Sequence, residues 1–341
     1  MKKLIVFMVA MNLLLSGCLT GKTAAPGRIT VTYLDLFDTV TTIIGTRESE
    51  EAFRQIAGEI YEELRVYHQL FDIYKDYEGI NNLKTVNDQA GIAPVTVDSD
   101  IIELLLDCKE IYALTNGRVN VAMGSVLRLW HEARTQGLEN PENGKLPEQE
   151  ALAQAAQHTG IDSIIIDQEA STVYISDPEA SLDVGAIAKG WAAQRVAETA
   201  PKGMLISVGG NVCATGPKDA EGTPWVVGVQ DPDNPGEYLR KLQITQGAVV
   251  TSGDYQRTYE VDGKQYHHII DPATGMPAAY WRSVTVICAD SGLADALSTA
   301  LFLLSLEEGK ALAEQCGANA LWLDTKGNEY MTDSVEAMIR E

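Results

Sequence analysis

Apolar positions recur at two spacings along this chain, and the switches between them mark its elements. Residues 29–46 are rich in Thr, Val and Ile and read as strand. Over residues 48–70, Phe53, Ile56, Ile60, Leu64 and Tyr67 fall three or four apart, which is one face of a helix. Ser99 is placed to cap a helix reaching about Thr115, where Gly117 stops it. Residues 147–158 predict another helix, ended at Gly160. Short strand runs then dominate, at 163–167, 172–176, 204–208, 225–230 and 239–245. Asp262-Gly263 joins two alternating runs and predicts a type I′ hairpin. A strand at 283–288 precedes an apolar helix at 293–304, and 319–331 closes as a hairpin around Lys326-Gly327. Helices and meandering strands in blocks predict an α+β (mixed α/β) fold. With no internal linker or repeat, residues 29–341 read as a single large domain of antiparallel-rich sheets flanked by helices.

The first residues follow a different pattern. Lys2 and Lys3 precede an apolar run from Leu4 to Leu15, interrupted only by Asn12. The run is too short to span a bilayer and suits a signal-peptide core. It ends in Leu15-Ser16-Gly17-Cys18, the pattern of a bacterial lipobox. Residues 1–17 are therefore expected to be a leader, Cys18 a lipidated residue, and 18–28 a small, polar tether. An exported protein is expected, lipid-anchored to the outer face of the cytoplasmic membrane or cell envelope.

The formal net charge of −22 excludes nucleic acid as a natural partner. An anionic ligand needs local cations, a metal or helix N-termini to reverse the field. Cys108, Cys213, Cys288 and Cys316 sit in apolar or small-residue surroundings without CxxC spacing, and read as free thiols.

Residues 251–277, TSGDYQRTYEVDGKQYHHIIDPATGMP, crowd hydroxyls, carboxylates and two histidines around a hairpin. Few of those side chains fill a core, so the segment reads as the lining of a cleft. Asp295 and Thr299 lie one turn apart in an apolar helix. Carboxylate and hydroxyl oxygens on one face suit a hard cation such as Mg2+, although a carboxylate in a first helical turn has the same appearance. Asp183 to Gly190 is a turn entering a helix with Lys189 near its start, either a phosphate cradle or an ordinary surface helix. Of the adjacent His267 and His268, strand alternation would let only one enter a given cleft. The glycine pair in Ser207–Asn211 permits close backbone approach, and the aromatics of Phe71-Asp72-Ile73-Tyr74 read as ring-stacking or core.

Together these segments resemble the ApbE family, the FAD:protein FMN transferases. The likeness runs from about Tyr33 to beyond Leu323 and rests on five ordered blocks: the DxGxxxKG-like stretch at 183–190, SVGGN at 207–211, TSGxY at 251–255, DGKxYxHIIDPxTG at 262–275, and ADALST at 294–299. The resemblance implies an ApbE-like (T-fold-like) fold. It also implies a reaction in which FAD binds with Mg2+ on its pyrophosphate. An acceptor Thr or Ser hydroxyl attacks the riboflavin-side phosphate, FMN is joined by a phosphoester, and AMP leaves. Implied acceptors are flavin-carrying subunits of membrane electron-transfer complexes bearing a Ser/Thr-Gly-Ala-Thr/Ser-like motif. The implied metal ligands are Asp295, Thr299 and the carbonyl of Ala186. His268 aligns with the base that activates the acceptor. Implied FAD contacts are Phe37, Asp72, Ile73, Tyr74, Asn120, Lys189 and Ile269.

Three positions depart from the family pattern. Its Met-Gly-Thr is Phe37-Asp38-Thr39 here, its Gly-x-Phe-Asp is Gly117-Arg118-Val119-Asn120, and a following threonine is Ala122. They bear on the flavin pocket and leave open a Mg2+-dependent FAD pyrophosphatase or a lipid-anchored flavin-binding protein without catalysis.

Overall fold

A computed structural model describes residues 27–340 apart from Glu48 and Pro235. The predicted leader and Cys18 lie outside the described residues, and so does most of the tether. An eight-stranded sheet organises the rest. Its strands are β1 (Ile29–Leu36), β2 (Thr39–Gly45), β3 (Met204–Val208), β4 (Asn211–Ala214), β5 (Gly247–Gly253), β6 (Trp281–Cys288), β7 (Asn319–Asp324) and β8 (Glu329–Met331). Each pairs antiparallel with the next, so spatial order follows chain order. The predicted strand at 29–46 is two strands. It folds back at Phe37 and Asp38, whose φ angles of 53° and 50° supply the paired left-handed residues of a tight hairpin turn.

Both faces of the central strands are covered, which is why β3, β5, β6 and β7 read as near-continuous apolar runs. Ile206, Val208, Ala248, Val250, Val284, Val286, Ala320 and Trp322 join the main core. The alternate residues Leu205, Val249, Ile287 and Leu321 join a second core with Trp225, Val227 and Leu242. That second core lies under the hairpin of Trp225–Gln230 and Tyr238–Ile244.

Among the described residues eight α-helices accompany the strands: α1 (Glu50–Phe71), α2 (Leu83–Asp88), α3 (Ser99–Leu114), α4 (Gly124–Glu139), α5 (Gln149–Ala155), α6 (Ala188–Thr199), α7 (Ser291–Phe302) and α8 (Leu306–Gln315). Ser49 caps α1, its Oγ accepting from the Ala52 amide at 3.1 Å. Asp98, not Ser99, caps α3, accepting from the Asp100 amide at 3.0 Å. Gly117 ends that stretch as expected, with φ at 76° and its amide bonded to the Tyr112 carbonyl at 2.8 Å.

Helices α6 and α7 pack on each other and on the main-core face of the sheet. Glycine sets their separation. A Cβ at Gly190 would stand 2.3 Å from the Ser291 carbonyl oxygen and 2.5 Å from Asp295 Cβ. Across the second border of the site, α4 packs on the Tyr259–Val261/Lys264–Tyr266 hairpin through Val126, Trp130, Tyr259 and Ile270.

The Gly190→Ala variant is expected to force α6 and α7 apart and to lose about 1–3 kcal/mol of stability. Urea unfolding of the purified protein checks this; an unchanged midpoint would show that the helices are not in glycine-limited contact.

Candidate active site

A cavity of about 270 Å3 opens where α6, α7, the end of β5, α4 and the loops of residues 72–77 and 254–270 meet. Asp295, Thr299, Ala186, Lys189, Tyr74, Asn120, His268 and Ile269 all line it. Phe37, Asp72 and Ile73 do not. The turn instead aims Asp38 and Thr39 at the cavity. Phe37 packs edge-on against His68, and its amide donates to His68 Nδ1 at 3.2 Å. Asp72 acts behind the wall, accepting from the amides of Tyr74 (2.7 Å) and Lys75 (3.1 Å) and the Tyr77 hydroxyl (2.8 Å). It thereby fixes the loop that presents Tyr74. Ile73 packs against the main core.

Asp295 is 4 % exposed. Its Oδ2 accepts from the Gly190 amide at 2.9 Å and from Lys189 Nζ at 3.4 Å. The missing Cβ at Gly190 is what allows the amide this close. Oδ1 has no hydrogen-bond partner among the described residues. A hydroxyl ladder fixes the helix that carries it: Ser298 Oγ donates to the Asp295 carbonyl and meets Ser252 Oγ, both at 2.8 Å. Thr251 and Thr285 meet at 2.8 Å between β5 and β6. The TSG run therefore anchors α7 to the sheet.

Asp295, Thr299 and Ala186 border the same cavity, and a carboxylate, a hydroxyl and a backbone carbonyl are oxygen donors that fit a hard cation taking its remaining ligands from phosphate and water. Among the described residues no three His, Cys, Asp or Glu side chains gather as a ligand cluster, so softer metals are poorly served.

The two histidines do not lie in a strand but in the link between Lys264–Tyr266 and Ile270–Asp271, so both reach the cavity wall. The alternation expected of them does not apply. His267 is a brace: its Nε2 donates to the Ala278 carbonyl at 2.9 Å, and its Nδ1 accepts from the Ile269 amide at 3.2 Å. Both ring nitrogens are spent. His268 is different. Its Nδ1 meets the Gln256 carbonyl at 3.2 Å, and a carbonyl can only accept, so Nδ1 carries the hydrogen. Nε2 is left with a lone pair. The cavity walls, then the cations Arg257 and Lys189 with His267 between them in weight, lower the His268 pKa. The residue is exposed, which limits the drop, and the ring is neutral at pH 7.

Several lining residues carry no signal in the spacing reading. Arg118, Arg134, Arg257 and His131 join Lys189 in the wall, which also holds Asp38, Asp183 and Asp295. His131 stacks on Tyr74 with ring centroids 5.3 Å apart, bringing α4 and the residue 72–77 loop together. Asn211 is 2 % exposed, and its Nδ2 has no partner among the described residues. Burial raises the Asp183 carboxyl, which accepts from the Gly185 amide at 2.9 Å.

A model of the ApbE family matches residues 29–322. This chain belongs to the ApbE family. A Haemophilus influenzae protein named FAD:protein FMN transferase is 30% identical, with 99% of this chain and 97% of that protein covered. A Klebsiella pneumoniae protein of the same name is 33% identical over 79% of this chain and 84% of its own length. Among solved structures, the ApbE protein of Thermotoga maritima aligns with a TM-score of 0.81 at 30% identity, covering 92% of this chain and 100% of that one. The flavin transferase ApbE of Vibrio cholerae aligns at 0.75 and 25% identity, covering 92% and 99%.

Two departures from the ApbE pattern have structural reasons. Asn120 donates through Nδ2 to the Thr159 carbonyl at 2.8 Å and accepts through Oδ1 from the Ala122 amide at 2.9 Å. A carboxylate could not make the first bond. Ala122 is buried in the main core, where a threonine hydroxyl would need a partner.

Asn120→Asp is therefore expected to cost about 1–3 kcal/mol, because it turns a donor facing a carbonyl into a second acceptor. Thermal unfolding at neutral pH measures it; wild-type stability would contradict the assigned bond.

Proposed function

We propose that this chain transfers FMN from FAD to a threonine or serine hydroxyl of an acceptor protein. One observation carries the reading: the oxygens of Asp295 and Thr299, the residue Ala186 and the imidazole of His268 border one cavity. The names of the Haemophilus and Klebsiella relatives support it.

The lone pair on His268 Nε2 takes the proton of the acceptor Oγ–H. Oγ forms its bond to the riboflavin-side phosphorus. The bond from that phosphorus to the bridging oxygen breaks, and AMP leaves with the bridging oxygen. Asp295, Thr299 and the Ala186 carbonyl would hold Mg2+, which neutralises diphosphate charge and favours AMP departure. Lys189 adds a cation at the same edge of the cavity. Tyr74, stacked on His131, offers a ring face to a planar group.

The acceptor reading is a flavin-carrying subunit of a membrane electron-transfer complex with a Ser/Thr-Gly-Ala-Thr/Ser-like motif. A lipid on Cys18 would hold this acidic chain at the membrane where such complexes sit, on the exported side. Among the described residues no helix is long and apolar enough to cross a membrane.

The test is direct. Protein, FAD and Mg2+ are incubated with and without a peptide bearing the threonine motif, and products are read by mass spectrometry. FMN mass added to the peptide is expected. FMN and AMP formed equally without peptide would identify a pyrophosphatase, and retained FAD with neither product a binder. Asp295→Ala is expected to abolish transfer at every Mg2+ concentration.

A second expectation concerns pH. The basic form of His268 is the neutral one, and its pKa lies below the ordinary value of about 6.5. At limiting FAD, where kcat/KM reports the free enzyme, transfer should be flat through neutral pH and fall as pH drops through that lowered pKa. His268→Gln should reduce kcat by roughly 10^2–10^4-fold and abolish the acid limb. An unchanged limb in that variant would assign the base elsewhere.

A further inference from the structure

The cavity collects four cationic side chains from an acidic chain, and they are not equivalent. Arg118 is paired with Asp271 at 3.3 Å, and Lys189 with Asp295 at 3.4 Å. Arg134 and Arg257 have no carboxylate within 4.0 Å among the described residues. Arg257 also has an unusual backbone. Its φ is 47°, in the left-handed region, and among the described residues it is the only cation of six non-glycine residues with positive φ. The others are Phe37, Asp38, Asn116, Ser171 and Asp262, residue types or hairpin positions that tolerate a turn. A long side chain held there needs surroundings that over-determine it.

Those surroundings are present. Asp254 pairs with Arg282 at 2.9 Å, and its amide donates to the Arg282 carbonyl at 2.9 Å. Gly253 fits because a Cβ there would meet the Tyr255 ring at 2.3 Å. Gln256, the next residue, accepts from His268. Two contacts at Asp254 and one at Gln256 thus fix a short loop on β6 and on the imidazole, and the next residue, Arg257, lines the cavity. The loop orients the base and places an unpaired cation beside it in one stroke.

We propose that Arg257 is a phosphate-binding residue whose guanidinium takes the non-bridging oxygens of the phosphate attacked beside His268. This rests on the transferase reading for the identity of the phosphate. A guanidinium offers two parallel donors to such oxygens, and charge developing on them during transfer would strengthen both bonds.

Arg257→Gly tests it without straining the loop, since glycine adopts a φ of 47° freely. Flavin fluorescence titration of the full chain is the first readout. FAD affinity is expected to fall roughly 10–100-fold while riboflavin, which lacks phosphate, binds as before. Equal losses for both ligands, or no loss for either, would overturn the proposal whether or not wild-type protein labels an acceptor. Failure of the wild type to label the peptide would instead count against the transferase reading alone. The second readout is turnover with peptide at saturating FAD. The glycine variant should lose on the order of 10^2–10^3-fold in kcat. Millimolar guanidinium should restore part of it, and Arg257→Lys should recover less than the charge alone would suggest. Full turnover of the glycine variant would also overturn the proposal. A third readout separates a site role from a structural one: removing this cation leaves Lys189 and His267 facing His268, so the acid limb should move to higher pH.

Discussion

The buried carboxylate of Asp295 is the interaction on which the site depends. Taking a carboxylate out of water costs several kcal/mol unless close partners replace the solvent. Here the Gly190 amide and Lys189 occupy one oxygen and leave the other free. The contact requires a glycine at the α6–α7 crossing, a lysine one residue before it, and a helix held in register by Ser298 and Ser252. Hydrophobic residues of similar volume would pack this crossing at least as stably. A polar solution kept at the junction of two helices and a sheet points to what the free oxygen meets. The adjacency of Lys189 and Gly190 thus serves packing and the carboxylate alike.

Charge distribution carries the same logic to larger scale. A chain of net charge −22 repels anions at a distance. Within the cavity, cations outnumber carboxylates: Arg118, Arg134, Lys189 and Arg257 face Asp38, Asp183 and Asp295. The paired members, Arg118 and Lys189, orient local structure. The unpaired members supply attraction at short range. A metal held by Asp295 and Thr299 in the proposed complex would add to that reversal. Long-range repulsion with short-range attraction selects ligands whose neutral parts also fit, and Tyr74 and His131 provide a ring-sized surface for such a part.

Much of this was legible in the sequence, for physical reasons that can be named. The strands at 204–208 and 225–230 match their elements because apolar runs bounded by glycine and proline leave little choice. The Asp262-Gly263 hairpin is read correctly because only left-handed residues fit its turn. The grouping of Asp295, Thr299, Lys189 and His268 follows from motif blocks, not from spacing, since three segments far apart in the chain meet there. Helix α4 is not marked at its start, because it begins at Met123-Gly124 with no side-chain cap. With it went His131 and Arg134. Helix α8 escaped although Ser305 and Glu308 form a capping box, a signal that was available. Phe37 lies away from the cavity because the run 29–46, continuous in sequence, contains a turn that points Asp38 and Thr39 into it instead. Arg257 lies inside a segment the sequence marks as cleft lining, yet nothing in residue type alone marks an unpaired, left-handed arginine.

The unpaired arginine and the neutral imidazole belong to one electrostatic arrangement. A cation beside His268 lowers its pKa, which keeps the base unprotonated but also makes it a weaker acceptor of protons. In a site that bound only neutral ligands this would be a poor compromise. A diphosphate changes the balance. Its negative charge, set against the guanidinium, would offset the cation's influence and raise the imidazole pKa toward the range where a general base is most effective at neutral pH. The base would then gain strength when the phosphate to be attacked is in place and stay neutral when it is absent. His267, with both nitrogens committed to backbone groups, cannot take part in this exchange despite standing next in the chain. The difference between two adjacent histidines therefore comes from what each ring nitrogen already holds, and from which of them shares a loop with Arg257.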